Sequence, residues 1–92
     1  MITGLYSIKD NKAGALVPGV YPFMKDELAQ RAFSSPSNLR SLSPQIVENC
    51  DDFDLVKLGT LNDETGEIVS KVEHVASFHD LVAISLRAVK AV

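Results

Sequence analysis

Hydrophobic and polar positions alternate along two neighbouring runs of the chain, residues 53–61 and 67–76. Alternation with a period of two places successive side chains on opposite faces of a β-strand. The connection, residues 62–66, is rich in Asn, Asp and Gly, which tight turns between antiparallel strands favour. The pattern therefore predicts a β-hairpin, with its turn at Asn62-Asp63-Glu64-Thr65-Gly66.

Two shorter segments near the start of the chain also predict extended structure. Residues 3–8 alternate in the same way and are expected to form the first strand. Residues 20–23 contain Pro22, which has no backbone N–H to donate to a neighbouring strand. This second segment is therefore expected to be an edge strand or an extended connection.

Three helices are predicted, the first and the third from apolar residues that share one helix face and the second from its starting residues. The first covers residues 26–33 and is expected to end at the Ser-, Pro- and Asn-rich residues 34–38. The second is short and begins at Pro44, with Ser43 as its N-cap. The third covers about residues 78–91.

The order of these elements, β-β-α-α-β-β-α, predicts one α+β domain over residues 1–92, with an antiparallel sheet covered by two or three helices. The last helix, for which Ser77 is the expected cap, carries an apolar arc broader than one small sheet covers. We therefore expect this helix to form the interface of a homo-oligomer. The predicted interface residues are Leu81, Val82, Ile84, Leu86 and Val89.

Residues that could carry chemistry are few, and their spacing favours structural roles. Zinc sites need three or four His, Cys or carboxylate ligands, and nothing in the spacing brings Cys50 and Asp51 to His74 or His79. Carboxylates next to Cys50 oppose a reactive thiolate, so a buried structural role is expected for it. The acidic hairpin turn lacks the twelve-residue pattern of a calcium loop. We therefore predict no catalytic residue, no metal site and no cofactor, and expect that the chain is not an enzyme.

Composition indicates the location and the kind of partner. The chain has 92 residues, one cysteine and no apolar stretch long enough for a membrane helix, so a cytoplasmic domain without a membrane partner is expected. The net charge of −3 argues against indiscriminate nucleic-acid binding. The charge is unevenly distributed, with five basic and three acidic residues in 1–40 and four basic and nine acidic residues in 41–92.

One group of residues has the character of a binding site, namely the aromatic residues Tyr6, Tyr21 and Phe23 near Lys9, Lys12 and Lys25. Single-stranded nucleic acid binds where bases stack on exposed aromatic rings beside basic side chains. The alternative is that the rings fill the core, because the chain has only four Phe, two Tyr and no Trp. The predicted nucleic-acid-binding residues are Lys9, Lys12, Lys25, Arg31, Tyr6 and Tyr21.

Several segments together resemble a known group of phage proteins. They are LYSIKDNKAG at residues 5–14, AQRAF at 29–33, DFDLVKLG at 52–59 and DETG at 63–66. In these motifs the chain is similar, over roughly residues 4–76, to the small nonstructural protein of microviruses, the icosahedral single-stranded DNA bacteriophages, and especially of their gokushovirus branch. Asn49-Cys50-Asp51 and Leu61-Asn62 depart from the family pattern, and the last helix lies outside it.

The resemblance implies a nonenzymatic role during infection, in the host cytoplasm. It implies DNA binding that helps replication move from duplex copying to single-strand synthesis and packaging. The implied partners are single-stranded DNA and further copies of the chain. A scaffold or adaptor that binds coat or host replication proteins without contacting DNA is the open alternative. The acidic C-terminal half and the apolar arc of the last helix favour this alternative.

Overall fold

The computed structural model describes residues 1–41 and 44–90, which fold into a four-stranded antiparallel sheet with helices packed against one of its faces. The predicted α+β class is confirmed. A single 3₁₀ turn, Cys50–Asp52, precedes the third strand. The strands are β1 (Ile2–Asp10), β2 (Ala15–Phe23), β3 (Phe53–Asn62) and β4 (Ile68–Ser77), and the helices are α1 (Asp26–Ser34), α2 (Pro36–Ser41), α3 (Pro44–Glu48) and α4 (Phe78–Lys90).

The predicted hairpin is formed by β3 and β4, and β3 pairs on its other side with β1. The spatial order is β2-β1-β3-β4, so β1 and β3 are central while β2 and β4 are the edges. In the hairpin turn the N–H of Gly66 donates to the carbonyl of Asn62 at 2.7 Å. Gly66 has a φ of +78°, a conformation that glycine adopts without steric cost. Both the hairpin and its turn are therefore confirmed.

Strand β2 occupies an edge of the sheet, as its proline content predicts, and it begins earlier in the chain than expected. Its register with β1 shifts between Tyr6 and Ile8. At this shift the buried hydroxyl of Ser7 donates to the carbonyl of Gly19 at 2.7 Å. A side-chain hydrogen bond thus satisfies a backbone carbonyl where the pairing of β1 and β2 is irregular.

The helices between β2 and β3 differ in one respect from the prediction. Helix α1 ends at Ser34, as expected, but the residues after it form α2 instead of a loop. Proline is tolerated in the first turn of a helix, and α2 begins at Pro36, which explains the difference. Helix α3 likewise begins at Pro44, whereas its expected cap, Ser43, lies outside the described residues.

Helix α4 begins at the predicted cap, because the N–H of Asp80 donates to the Ser77 hydroxyl at 3.3 Å. The helix is described as far as Lys90, and residues 91–92 lie outside the described part of the chain. Within that part, no helix combines the length and the apolar character that crossing a bilayer requires.

The core lies between the helices and one face of the sheet. Phe33 of α1 is at its centre, where its ring makes edge contacts with Tyr21, Phe23 and Phe78 at centroid distances of 5.3, 6.0 and 5.9 Å. Such edge-to-face pairs add stability to that gained from burial alone. The buried residues of the core cluster are Tyr6, Ile8, Ala29, Phe33, Leu39, Ile46, Phe53, Leu55, Phe78 and Leu81.

The structure corrects part of the predicted oligomer interface on α4. Leu81 is buried in the core of its own chain and is therefore unavailable to a second subunit. The reason is that α4 packs against α1, α2 and the 3₁₀ turn as well as the sheet. Val82 is partly buried against the same core, whereas Ile84 is 46% exposed. The side chains of Leu86 and Val89 lie outside the described part of the structure.

Candidate nucleic-acid interface

The predicted nucleic-acid-binding residues do not form one surface. Lys9 follows Ile8, which points into the core, so by alternation the Lys9 side chain lies on the opposite face of the sheet. Lys25 and Arg31 are exposed at α1, which covers the core face. Lys25 lies just after the end of β2. The last residue of β2 pairs with Gly4, and Gly4 is about 17 Å from Lys9 along β1. The basic residues therefore form two separate groups.

Lys12 lies among acidic side chains. Its ammonium is 3.4 Å from a carboxylate oxygen of Asp52, and the amide of the neighbouring Asn11 donates to Asp54 at 2.9 Å. A polar cleft of about 400 Å³ opens here, and its lining contains three carboxylates and one ammonium. Carboxylates repel phosphates, so this end of the molecule does not favour DNA. The cleft is lined by Asp10, Lys12, Gln45, Glu48, Asn49, Asp52 and Phe53.

Tyr6 lies fully inside the protein, with 0% of its surface exposed. Its hydroxyl donates to Asp26 Oδ1 at 2.5 Å, and the Lys57 ammonium lies 3.9 Å from the same oxygen. Burial and the adjacent carboxylate raise the pKa of the Tyr6 hydroxyl above its ordinary value of 10.0. A ring without an exposed face cannot stack on a base. The stacking role predicted for Tyr6 is therefore wrong, and the alternative of a core position is correct for this residue.

Tyr21, by contrast, is half-buried and lines an open cavity between β2 and the first two helices. This cavity, the aromatic recess, has a volume of about 240 Å³. The amide nitrogen of Asn38 donates to the carbonyl of Ala32 at 2.8 Å, which holds a polar side chain at the cavity. The aromatic recess is lined by Tyr21, Phe23, Ala32, Phe33 and Asn38.

Two basic residues flank the aromatic recess along the chain. Arg31 directly precedes Ala32, and Lys25 follows Phe23 by two positions. Both basic residues are exposed, and neither forms a salt bridge with any residue that the structure describes. Of the six predicted residues, Tyr21 lines the recess, and Lys25 and Arg31 are close to lining residues in sequence.

Sequence reasoning grouped Phe23 with Tyr6 and Tyr21 but missed Phe33 and Asn38 as parts of this region. A signal existed for Phe23, because residues two positions apart on one strand share a face, and Tyr21 is such a neighbour. No comparable signal exists for Asn38, which lies on the unpredicted helix α2.

A second group of side chains comes together where the 3₁₀ turn meets α4. The ligand atoms of Cys50, Asp51 and His79 all lie within 4.8 Å of one another. The expectation that nothing brings Cys50 and Asp51 to a histidine is therefore wrong. The cause is tertiary, because β3 and β4 pair and so place the 3₁₀ turn before β3 beside the helix that follows β4.

Comparison with protein-family models matches residues 3–81 to the family described as "Phage ORF5 protein". No match was found among curated proteins or among solved structures. The matched residues include the whole lining of the aromatic recess and the cluster of Cys50, Asp51 and His79.

Proposed function

The chain belongs to the phage ORF5 protein family, and from this premise we propose that it is a nonenzymatic microvirus accessory protein that binds viral single-stranded DNA. It acts as a homo-oligomer in the host cytoplasm, during single-strand synthesis or packaging. The resemblance to gokushovirus nonstructural proteins supports this assignment. The main structural support is the aromatic recess, with the exposed residues Lys25 and Arg31 close to its lining residues in sequence.

The aromatic recess has a size and chemistry that suit one unstacked base. Its volume of about 240 Å³ is below the roughly 300–1,000 Å³ of sites for drug-sized ligands, so it suits a single ring system. The rings of Tyr21 and Phe23 offer apolar contact, and stacking on an aromatic side chain contributes about 1–3 kcal/mol per base. Bases in a duplex are already stacked and paired, so the recess favours single strands.

Lys25 and Arg31 supply the phosphate contacts in this proposal. Two cations are few, and the net charge of −3 opposes the approach of a polyanion. We therefore expect one chain to bind DNA weakly and in a salt-dependent manner. Several sites linked in an oligomer bind one strand much more tightly than a single site does, so self-association belongs to the same proposal.

Labelled oligo-dT should bind the wild-type protein at about 50 mM salt and several-fold more weakly at about 200 mM. Two phosphate contacts on a single strand predict a slope of about −1.4 for log K against log salt. The double variant Lys25→Ala/Arg31→Ala should lose this slope, because it removes both cations. Fluorescence anisotropy of the labelled DNA measures affinity and slope together.

The matched control is Lys9→Ala/Lys12→Ala, which removes the same charge from the other end of β1. It should leave both affinity and slope close to the wild-type values. Tyr21→Ala should weaken binding at both salt concentrations without changing the slope, because it removes stacking and no charge. No binding at the lower salt, or binding without a slope, contradicts the DNA-binding proposal.

Strand β4 favours a second function, that of a scaffold or adaptor that never contacts DNA. It is an edge of the sheet, and residues 68–74 are all exposed. Ile68, Val69 and Val72 expose 63%, 54% and 68% of their surface. An edge strand with exposed apolar side chains is a template for pairing with a strand of another molecule.

The partner that suits β4 best is β4 of a second copy. In an antiparallel pair with its two-fold axis at Val72, Lys71 of each chain lies opposite Glu73 of the other. Within one chain the same two side chains already form an ion pair at 3.3 Å. One of the two register shifts of this edge lies between Ser70 and Glu73 and includes Val72, so regular pairing about this axis is limited to a short segment, which favours a closed dimer.

Sedimentation equilibrium should show a wild-type dimer, and Val72→Glu should convert it to a monomer by placing two like charges at the axis. Leu16→Glu is the matched control, because Leu16 is 46% exposed on the opposite edge strand. A strictly monomeric wild-type protein contradicts self-association. If the Val72→Glu variant is still a dimer, the interface lies elsewhere. If the wild-type protein is a dimer that binds no oligo-dT, the adaptor function is favoured.

A further inference from the structure

Cys50, Asp51 and His79 offer a sulfur, an oxygen and a nitrogen ligand at one point on the molecule. All three ligand atoms lie within 4.8 Å of one another, and the separation between His79 Nδ1 and Asp51 Oδ1 is 2.6 Å. Tetrahedral ligands at about 2.0–2.3 Å from a zinc ion are roughly 3–4 Å apart. The upper limit of 4.8 Å and the 2.6 Å pair lie on either side of this range, so the side chains must adjust when an ion binds.

The types of ligand atom determine which metal suits the cluster. Thiolate and imidazole suit zinc and related transition metals, whereas calcium and magnesium take oxygen ligands. Zinc also binds with three protein ligands and a water molecule in the fourth position. Cys50 is half-buried while Asp51 and His79 are exposed, so an ion has free access to the cluster.

We propose that Cys50, Asp51 and His79 form a zinc-binding site in which water is the fourth ligand. The ion joins the 3₁₀ turn before β3 to the first turn of α4. It therefore stabilises the contact between two segments that the sequence separates by a complete hairpin. The site shares no residue with the aromatic recess, and zinc binding does not depend on DNA binding.

Cobalt(II) is a direct probe of this site, because a cobalt–thiolate bond gives a charge-transfer absorption in the near ultraviolet. Titration of the reduced wild-type protein should produce this absorption, which should saturate at one ion per chain and disappear when zinc displaces cobalt. Zinc should also raise the midpoint of thermal unfolding, because the ligand set is assembled only in the folded chain.

Variants of the three ligands test the assignment residue by residue. Cys50→Ser should abolish the charge-transfer absorption, since it removes the thiolate. His79→Ala and Asp51→Asn should each weaken cobalt binding by at least roughly tenfold. Loss of a residue that only orients a metal ligand already lowers metal affinity by this factor, and loss of a ligand should lower it at least as much. None of these side chains is buried, so the variants should fold, and circular dichroism without metal checks this.

His74→Ala is the matched control. His74 Nε2 lies 3.6 Å from a carboxylate oxygen of Asp54 and forms a histidine–aspartate pair outside the proposed site. This variant should bind cobalt as the wild-type protein does. If Asp51 and His79 form only an ion pair, the wild-type protein will show neither the absorption nor the rise in midpoint. That result, or unchanged cobalt binding by Cys50→Ser, overturns the proposal.

Discussion

Replacing Gly59 with alanine should lower the free energy of unfolding by about 2–6 kcal/mol. An added Cβ would lie 2.0 Å from the carbonyl oxygen of Val69, a backbone atom of β4 that cannot rotate away. Gly59 also has a φ of +154°, which residues with a side chain rarely adopt. Overpacking and backbone strain each cost about 1–3 kcal/mol, against a total stability of about 5–15 kcal/mol for a domain.

The position of Gly59 in the sheet explains why the effect is large. The ladder between β3 and β4 shifts register between Lys57 and Gly59, and the ladder between β1 and β3 shifts next to Leu5, the β1 partner of Gly59. Strand β3 is therefore irregular on both sides at this residue. A side chain here would push β4 away from β3, and the hairpin would lose pairing in the half next to its turn.

Urea unfolding followed by circular dichroism, at constant protein concentration, measures the loss. Gly66→Ala is the matched control, because Gly66 has a φ of +78° but nothing lies within 4 Å of an added Cβ. This control carries backbone strain without overpacking and should cost about 1 kcal/mol. Equal losses in the two variants would contradict the steric explanation.

Replacing Tyr6 with phenylalanine should cost about 1–3 kcal/mol at neutral pH, because it removes a hydrogen bond to a carboxylate. That bond joins β1 to α1 through Asp26. The pKa of the Tyr6 hydroxyl is raised in the folded state, first by burial and second by its bond to Asp26. The hydroxyl therefore contributes stability that is fully present below pH 10.0, its ordinary pKa, and is lost as the pH rises through the folded-state value.

Urea unfolding in a pH series from neutral to strongly alkaline distinguishes the wild-type protein from the Tyr6→Phe variant. The free energy of unfolding of the wild-type protein should fall above about pH 10, whereas that of Tyr6→Phe should fall less, so the two curves converge. Asp26→Asn keeps an oxygen acceptor and removes the charge, and it should retain part of the alkaline fall because Tyr6 stays buried. Curves that stay parallel would show that Tyr6 does not control the alkaline behaviour.

Elements with a local signal could be predicted from the sequence. The hairpin is indicated by alternating hydrophobic and polar residues in both strands and by the Asn, Asp and Gly residues of its turn, 62–66. Helix α4 is indicated by its cap, Ser77. Strand β2 has prolines that exclude a central position in the sheet, and it lies at an edge. Helix α2 escaped prediction because Pro36 is compatible with the end of one helix and equally with the start of the next.

The candidate site depends on contacts between distant residues, and these have no local signal. Tyr6 fills a space next to Gly4, where an added Cβ would lie 2.7 Å from the Tyr6 ring, and its hydroxyl reaches Asp26 on α1. Cys50 precedes β3 and His79 follows β4, and the antiparallel pairing of these two strands brings the two residues together. In each case the packing of helices on the sheet decides whether a side chain is buried or available.

The proposed function requires that single-stranded DNA binds at the aromatic recess. Titration of isotope-labelled protein with oligo-dT, followed by NMR chemical shifts, tests it most directly. We predict the largest shifts at the rings of Tyr21 and Phe23 and at the side-chain amide of Asn38, which line the recess. Absence of shifts at low salt, or large shifts confined to β4 or to the polar cleft around Lys12, would contradict the claim.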